Sequence, residues 1–418
     1  MENNTKIIFF DSTWNQLLRF GSNISLFIKE TNDNITTIGL LCEDLTQEEQ
    51  KQEHSFDFIY ATSNNLKIAE YVTKQQPDIL VVVKHTVRDQ NVILRAKKCG
   101  TIVFELQHGM LYEGASLNNF NFHEVFAAAL NMGKTLTYLN ILRQMCSYDG
   151  QSYTKLLKKI LLKRKNIAHI VENHFSVKLN GNYAMVIGEY WIDYFCKKYD
   201  YSRDKIFLMG NHDVDNMLID KPLEDAICYI PSVHVEDGKV RESVFKKFIY
   251  ALAESIDINI KFYIKMHPRG DINLYKDAFA KHNVTYVKDT SFPYTTVYIG
   301  HNSTLIAKAL MLTNKIILWG FKEETEHFYR PWAYAFCEKT RELQQAIARA
   351  WSDKRIDKTV LNEIKRISYI NPYGAFQFAA KKIIEMYYSD KTRTSTKEQK
   401  NENCSINPNK AKFTETSK

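Results

Sequence analysis

The seven cysteines of this chain never pair at Cys-x-x-Cys spacing; they lie singly at 42, 99, 146, 196, 228, 337 and 404. An odd, scattered set argues against a disulfide framework and a zinc site, and a reducing cytoplasm is the expected home. No apolar run approaches the roughly 20 residues of a membrane span. The short apolar run that ends at Asp11 lacks the length and flanks of a signal peptide. There is no Gly-x-Gly-x-x-Gly and no full Gly-x-x-x-x-Gly-Lys-Ser/Thr Walker pattern, which disfavours nicotinamide chemistry and ATP hydrolysis. No His-Glu-x-x-His occurs, and no Asp-x-Asp stands out as a metal holder, so neither a metal nor a cofactor is expected. No repeat of fixed period is found. The net charge of +8 over 418 residues is mild, and no nucleic-acid partner is expected from it.

What is present is an ordinary globular composition, 44% hydrophobic and 25% charged, with 24 Tyr and 24 Phe. Its length allows two or three domains. Short apolar runs alternate with amphipathic segments. Strands are predicted at 7–10, 37–42, 57–60, 78–83, 101–106, 124–128, 183–187 and 205–209. Helices such as 65–75 and 89–98 fall between them. A second series of strands is predicted at 226–230, 261–265, 284–287, 295–299 and 315–319, with a helix over 241–255. This alternation predicts an α/β fold of parallel sheets covered by helices. The break between the series lies near Asn216 to Glu224. The expected organisation is a first domain over 1–217 with a helical, basic insertion at about 134–178, and a second domain over 222–388. The polar residues 389–418 are expected to form a disordered tail.

Several strands end in turns that carry chemistry. In the second series, His267, Pro268 and Arg269 follow one strand. Gly300, Asn302, Ser303 and Thr304 close another and open a helix. A helix N-terminus offers unpaired N–H groups and a positive dipole end, hydroxyls add donors, and imidazole adds one that can carry charge. Open α/β sheets bind ligands at the carboxyl ends of their strands. The pair therefore reads as a pocket for a nucleotide's phosphates, with His267 stabilising the leaving group. In the first series, Gln107, His108 and Gly109 end a strand. A histidine there can serve as a base, because its ordinary pKa lies near 6.5. Glu189, Gly210 and Asn211 are expected to line the cleft floor or to pack between domains. Glu236 and Asp237 read as a rival base or as a solvated turn. In the lysine-rich segment 155–165, Lys155, Lys158, Lys159 and Lys163 share a helical face with leucines on the other, a pattern suited to an anionic membrane or to a surface helix.

Taken in order, the Gln-His-Gly, His-Pro and Ser-Thr turns resemble bacterial GT-B transferases of surface polymers. Those include the CDP-glycerol glycerophosphotransferases of teichoic acid synthesis, the capsule Kdo transferases and the bacterial sialyltransferases. The resemblance covers roughly residues 100 to 320. It implies two Rossmann-like domains facing across a cleft and transfer of a sugar or polyol phosphate from a nucleotide donor, such as a CMP- or CDP-linked one. The acceptor would be a growing glycan or lipid-linked glycan, and a peripheral place on the inner membrane face would follow. It implies His108 as the matching His-Gly histidine, His267 and Pro268 as the His-Pro pair, and Ser303 and Thr304 as the serine turn. The Glu-Asp-Gly at 236–238 is similar to the sialyltransferase base motif but lies in the second domain. Non-hydrolysing UDP-N-acetylglucosamine 2-epimerases share the fold, and their Gly-Asn near the hinge is similar to Gly210-Asn211. An epimerase and an inactive scaffold of a capsule assembly complex are therefore the alternatives.

Overall fold

Buried runs of β-branched and aromatic residues form the frame. The computed structural model describes residues 4–32, 34–83, 86–107, 109, 132–163, 170–171, 173–215, 217, 221–301, 303–321, 328–353, 355 and 357–405. Seven parallel strands make the first sheet: β1 (Thr5–Asp11), β2 (Ile35–Leu41), β3 (Phe58–Ala61), β4 (Ile79–Val82), β5 (Ile102–Leu106), β6 (Tyr183–Val186) and β7 (Ile206–Leu208). Their order is β3-β2-β1-β4-β5-β6-β7. Six more parallel strands make the second: β8 (Glu224–Ile230), β9 (Phe262–Lys265), β10 (Val284–Val287), β11 (Thr295–Gly300), β12 (Ile316–Trp319) and β13 (Ala335–Cys337), ordered β10-β9-β8-β11-β12-β13. Every residue of β4, β6 and β12 is buried, as expected of strands covered on both faces. The strand predicted at 124–128 lies outside the described residues, and β13 was not predicted.

The strand order of each sheet reverses once, between β1 and β4 in the first and between β8 and β11 in the second. Such switch points open crevices at the carboxyl ends of their strands. The expected insertion is helical: Met132–Asp149 and Tyr153–Lys163 bury Ile141, Leu142, Met145 and Leu156 against Leu94 of the helix Val87–Lys98.

The C-terminus departs from expectation. The helix Ala375–Ser405 packs on the first domain rather than completing the second, with Ile383 and Tyr387 in the core beneath β1. It also runs past Ser389, where disorder was expected. Contacts with the first sheet hold it there: Tyr183 donates to Asp390 (2.8 Å), Tyr387 donates to Asp78 (2.7 Å), and Lys391 lies 3.6 Å from Asp78.

Two glycines let the returning chain through. A Cβ on Gly188 would stand 2.2 Å from the Ile367 carbonyl oxygen. Gly210 has φ +94° and lies under Asn371. Asn211 is pinned there as well: its N–H donates to Tyr369 O (2.8 Å) and its Nδ2 to Ser368 Oγ (2.8 Å). Gly210 and Asn211 are thus buried under this strap and do not line an open cleft. Their glycine and amide serve the crossing of two chain segments.

Candidate active site

The second-domain site is assembled by three neighbouring strand ends. Strands lie about 4.8 Å apart, so the turns after β9 and β11, separated by β8, stand about 10 Å apart. Gly300 closes β11. A Cβ there would come within 2.6 Å of Ile306 Cδ1 and 3.2 Å of the Ile230 carbonyl oxygen, so any larger residue would push the Ile306 side chain aside at the start of the helix Thr304–Leu312. Ser303 is the N-cap and accepts from the Leu305 N–H (3.4 Å). Thr304 is exposed at the first helical position. Asn302 lies outside the described residues.

His301, which sequence reasoning passed over, fixes the turn from below. It is 1% exposed and stacks on Phe321. Its Nδ1–H donates to Trp319 O (3.0 Å), which in the neutral ring leaves Nε2 to accept from the Tyr229 hydroxyl (2.8 Å).

After β9, His267 is half-buried and its Nδ1 accepts from the Arg269 N–H (3.1 Å). In the neutral ring the proton therefore sits on Nε2. Burial, then the Arg269 charge, push its pKa below the ordinary value, against smaller opposing effects of Asp237 and Glu236. Arg269 donates to Asp237 (2.9 Å), and the Asp271 N–H donates to Glu236 (2.9 Å). The acidic pair therefore braces the His-Pro loop. Its carboxylates are committed to that loop, which weighs against a role as base.

In the first domain, Gln107 is 2% exposed and ties its turn at both ends. It accepts from the Ile187 N–H (3.1 Å) and donates to Gly109 O (2.9 Å). Gly109 has φ +60°, a left-handed conformation that favours glycine. A Cβ built on it would lie 3.0 Å from Thr304 Cγ2. The turn after β5 thus faces the start of the second-domain helix. His108, between these two residues in sequence, lies outside the described residues. Glu189 is exposed and sits 3.6 Å from Arg366.

A charged cluster that sequence reasoning missed lies where the two domains join. Arg19, in the π-helical turn Leu17–Ser22 after β1, is ion-paired with Asp213. Lys308, one turn after Thr304, interacts with both. Burial lowers the Lys308 pKa; Arg19 and Lys265 add to this and Asp213 opposes it. Burial alone would raise Asp213, but His212, Arg19 and Lys308 outweigh it and hold the carboxyl below its ordinary value. The i+4 spacing of Thr304 and Lys308 was legible, and a residue following β1 is a candidate by the switch-point rule. Asp213-Val214-Asp215 also has the Asp-x-Asp spacing that was not singled out. Its carboxylates are engaged elsewhere, Asp213 by Arg19 and Asp215 by the Ala375 N–H (2.7 Å). Among the described residues, no group of three or more His, Cys, Asp or Glu could hold a metal ion.

Comparison with solved structures decides the fold. The chain is similar to the calicheamicin glycosyltransferase CalG4 (12% identity, 93% of this chain and 99% of that one, TM-score 0.52). It is equally similar to a UGT transferase from Siraitia grosvenorii in complex with UDP (10% identity, 92% of this chain and 100% of that one, TM-score 0.52). The fold is GT-B. A UDP-GlcNAc 2-epimerase from Neisseria meningitidis bound to UDP-GlcNAc also matches (12% identity, 92% and 100%, TM-score 0.48). No protein-family model matches the sequence, and a search of curated proteins finds no match.

Proposed function

We propose that this GT-B protein is a glycosyltransferase of cell-surface polysaccharide synthesis, moving a sugar or polyol phosphate from a nucleotide-activated donor to a growing glycan. One observation carries this reading: a Ser303-capped helix N-terminus at the second sheet's switch point faces the Gly109 turn of the first domain. Donor phosphates at that helix end would meet unpaired N–H groups and the dipole. His267 Nε2–H would donate to the leaving phosphate, and such preorganised donors stabilise developing charge without reorganising. Lys308 and Arg19 add positive charge nearby, so the leaving nucleotide is met by the protein's own cations. His108 is the proposed base on the acceptor hydroxyl. That a UGT transferase of this fold holds UDP supports a nucleotide-linked donor.

The test begins with a thermal-shift screen of CMP, CDP, UDP, GDP and their sugars. Product analysis with the best donor and a glycan acceptor follows. Release of free nucleotide with growth of the glycan is the expected result. A C2-inverted sugar still attached to its nucleotide would make the protein an epimerase. Nucleotide binding without turnover would make it a scaffold.

A further inference from the structure

The helix Tyr153–Lys163 departs from the simple two-sided pattern of its sequence. Leu156 is fully buried, and Tyr153, Leu157 and Ile160 are half-buried on the same side. Leu161 and Leu162 do not join them. They are 71% and 73% exposed, far more than most leucines of the chain. At 100° per residue they share the outward face with the exposed Lys155 and Lys158. The helix Tyr-Thr-Lys-Leu-Leu-Lys-Lys-Ile-Leu-Leu-Lys carries four lysines and no acidic residue. Among the described residues, Lys155 and Lys158 have no acidic partner.

We propose that this outward face docks on an anionic lipid bilayer, with Leu161 and Leu162 inserted at the headgroup–acyl boundary. Charge complementarity selects this occupant. The lysine stems can lie along the apolar layer while their ammonium groups reach lipid phosphates. A second copy of the chain would bring the same uncompensated lysines together. No described helix is long and apolar enough to cross a membrane, so the contact is interfacial. The inference is independent of the transferase reading, because it requires no turnover.

Sedimentation of the full chain with two vesicle types tests it: pure phosphatidylcholine, and phosphatidylcholine mixed with phosphatidylglycerol, whose negative surface potential attracts basic segments. Binding is expected on the anionic vesicles only, and weaker in high salt. Leu161→Ser/Leu162→Ser and Lys155→Glu/Lys158→Glu should each reduce partitioning at least about tenfold, with unchanged circular dichroism because all four side chains are exposed. Equal binding to both vesicle types, or no binding, overturns the proposal. Wild-type binding by both pairs of variants also overturns it. A concentration-dependent dimer that the leucine pair abolishes, without vesicle binding, assigns the face to a second copy instead.

Discussion

Gly109 and Thr304 meet across the interdomain gap so closely that a single added methyl on the glycine would stand 3.0 Å from Thr304 Cγ2. Gly109→Ala should therefore cost about 1–2 kcal/mol, from its left-handed backbone and from the crowding. Urea unfolding would measure this, and nucleotide titration should show weakened binding. Thr304→Ser in the same chain removes the crowding methyl and should restore part of the loss, a coupling that a double-mutant cycle reads directly.

Ser303→Ala removes the cap of the helix Thr304–Leu312 and should lower stability by about 1 kcal/mol. With Thr304→Ala added, calorimetric affinity for nucleotides should fall while acceptor affinity holds. Unchanged nucleotide affinity would count against the phosphate site.

His267→Ala should leave the fold intact, because the ring is only half-buried, and should slow transfer on the order of 100-fold. Steady-state kinetics with the identified donor checks it. Near-normal turnover in the folded variant would remove His267 from the leaving-group role.

Stability should fall in acid through His234. This ring is 4% exposed, and burial pushes its pKa down from 6.5 to about 4, with Lys239 adding to the effect. The unfolded chain then takes up the proton first, so its stabilisation is full above pH 6.5 and is lost as pH falls toward 4. At about 1.4 kcal/mol per unit, the loss amounts to roughly 3 kcal/mol. Urea midpoints at pH 7, 5.5 and 4.5 should show a shallower fall in His234→Phe than in wild type.

Asp213→Ala leaves Arg19 and Lys308 facing each other without their shared carboxylate. Arg19 is partly exposed, so solvent screening moderates the cost to about 1–2 kcal/mol. Thermal unfolding in low and high salt checks this; the deficit should shrink as salt screens the repulsion.

The period of the apolar runs made the two sheets legible, because strands such as Ile79–Val82 are buried on both faces and read as continuous hydrophobic stretches. Ala335–Cys337 escaped because three residues show no period. Ser303 was readable as a helix cap next to a glycine-ended strand. Arg19 and Asp213 were not readable as partners, since 194 positions separate them and only the closed fold joins them. The strap was hidden for the same reason. Amphipathicity tells that the helix from Ala375 must bury a face, but not which sheet receives it.

The crossing at Gly188 and Gly210 also fixes an order of assembly. The chain leaves the first sheet once, builds the second, and comes back, so the second domain is a guest inserted into its host. On a ribosome the guest has all its strands while the host still lacks the helix that covers β1. Phe20, whose ring packs edge-on against Phe376 of that helix, then lacks this partner until the returning segment emerges. The half synthesised first is the half finished last, and it is the one that most needs shielding from aggregation.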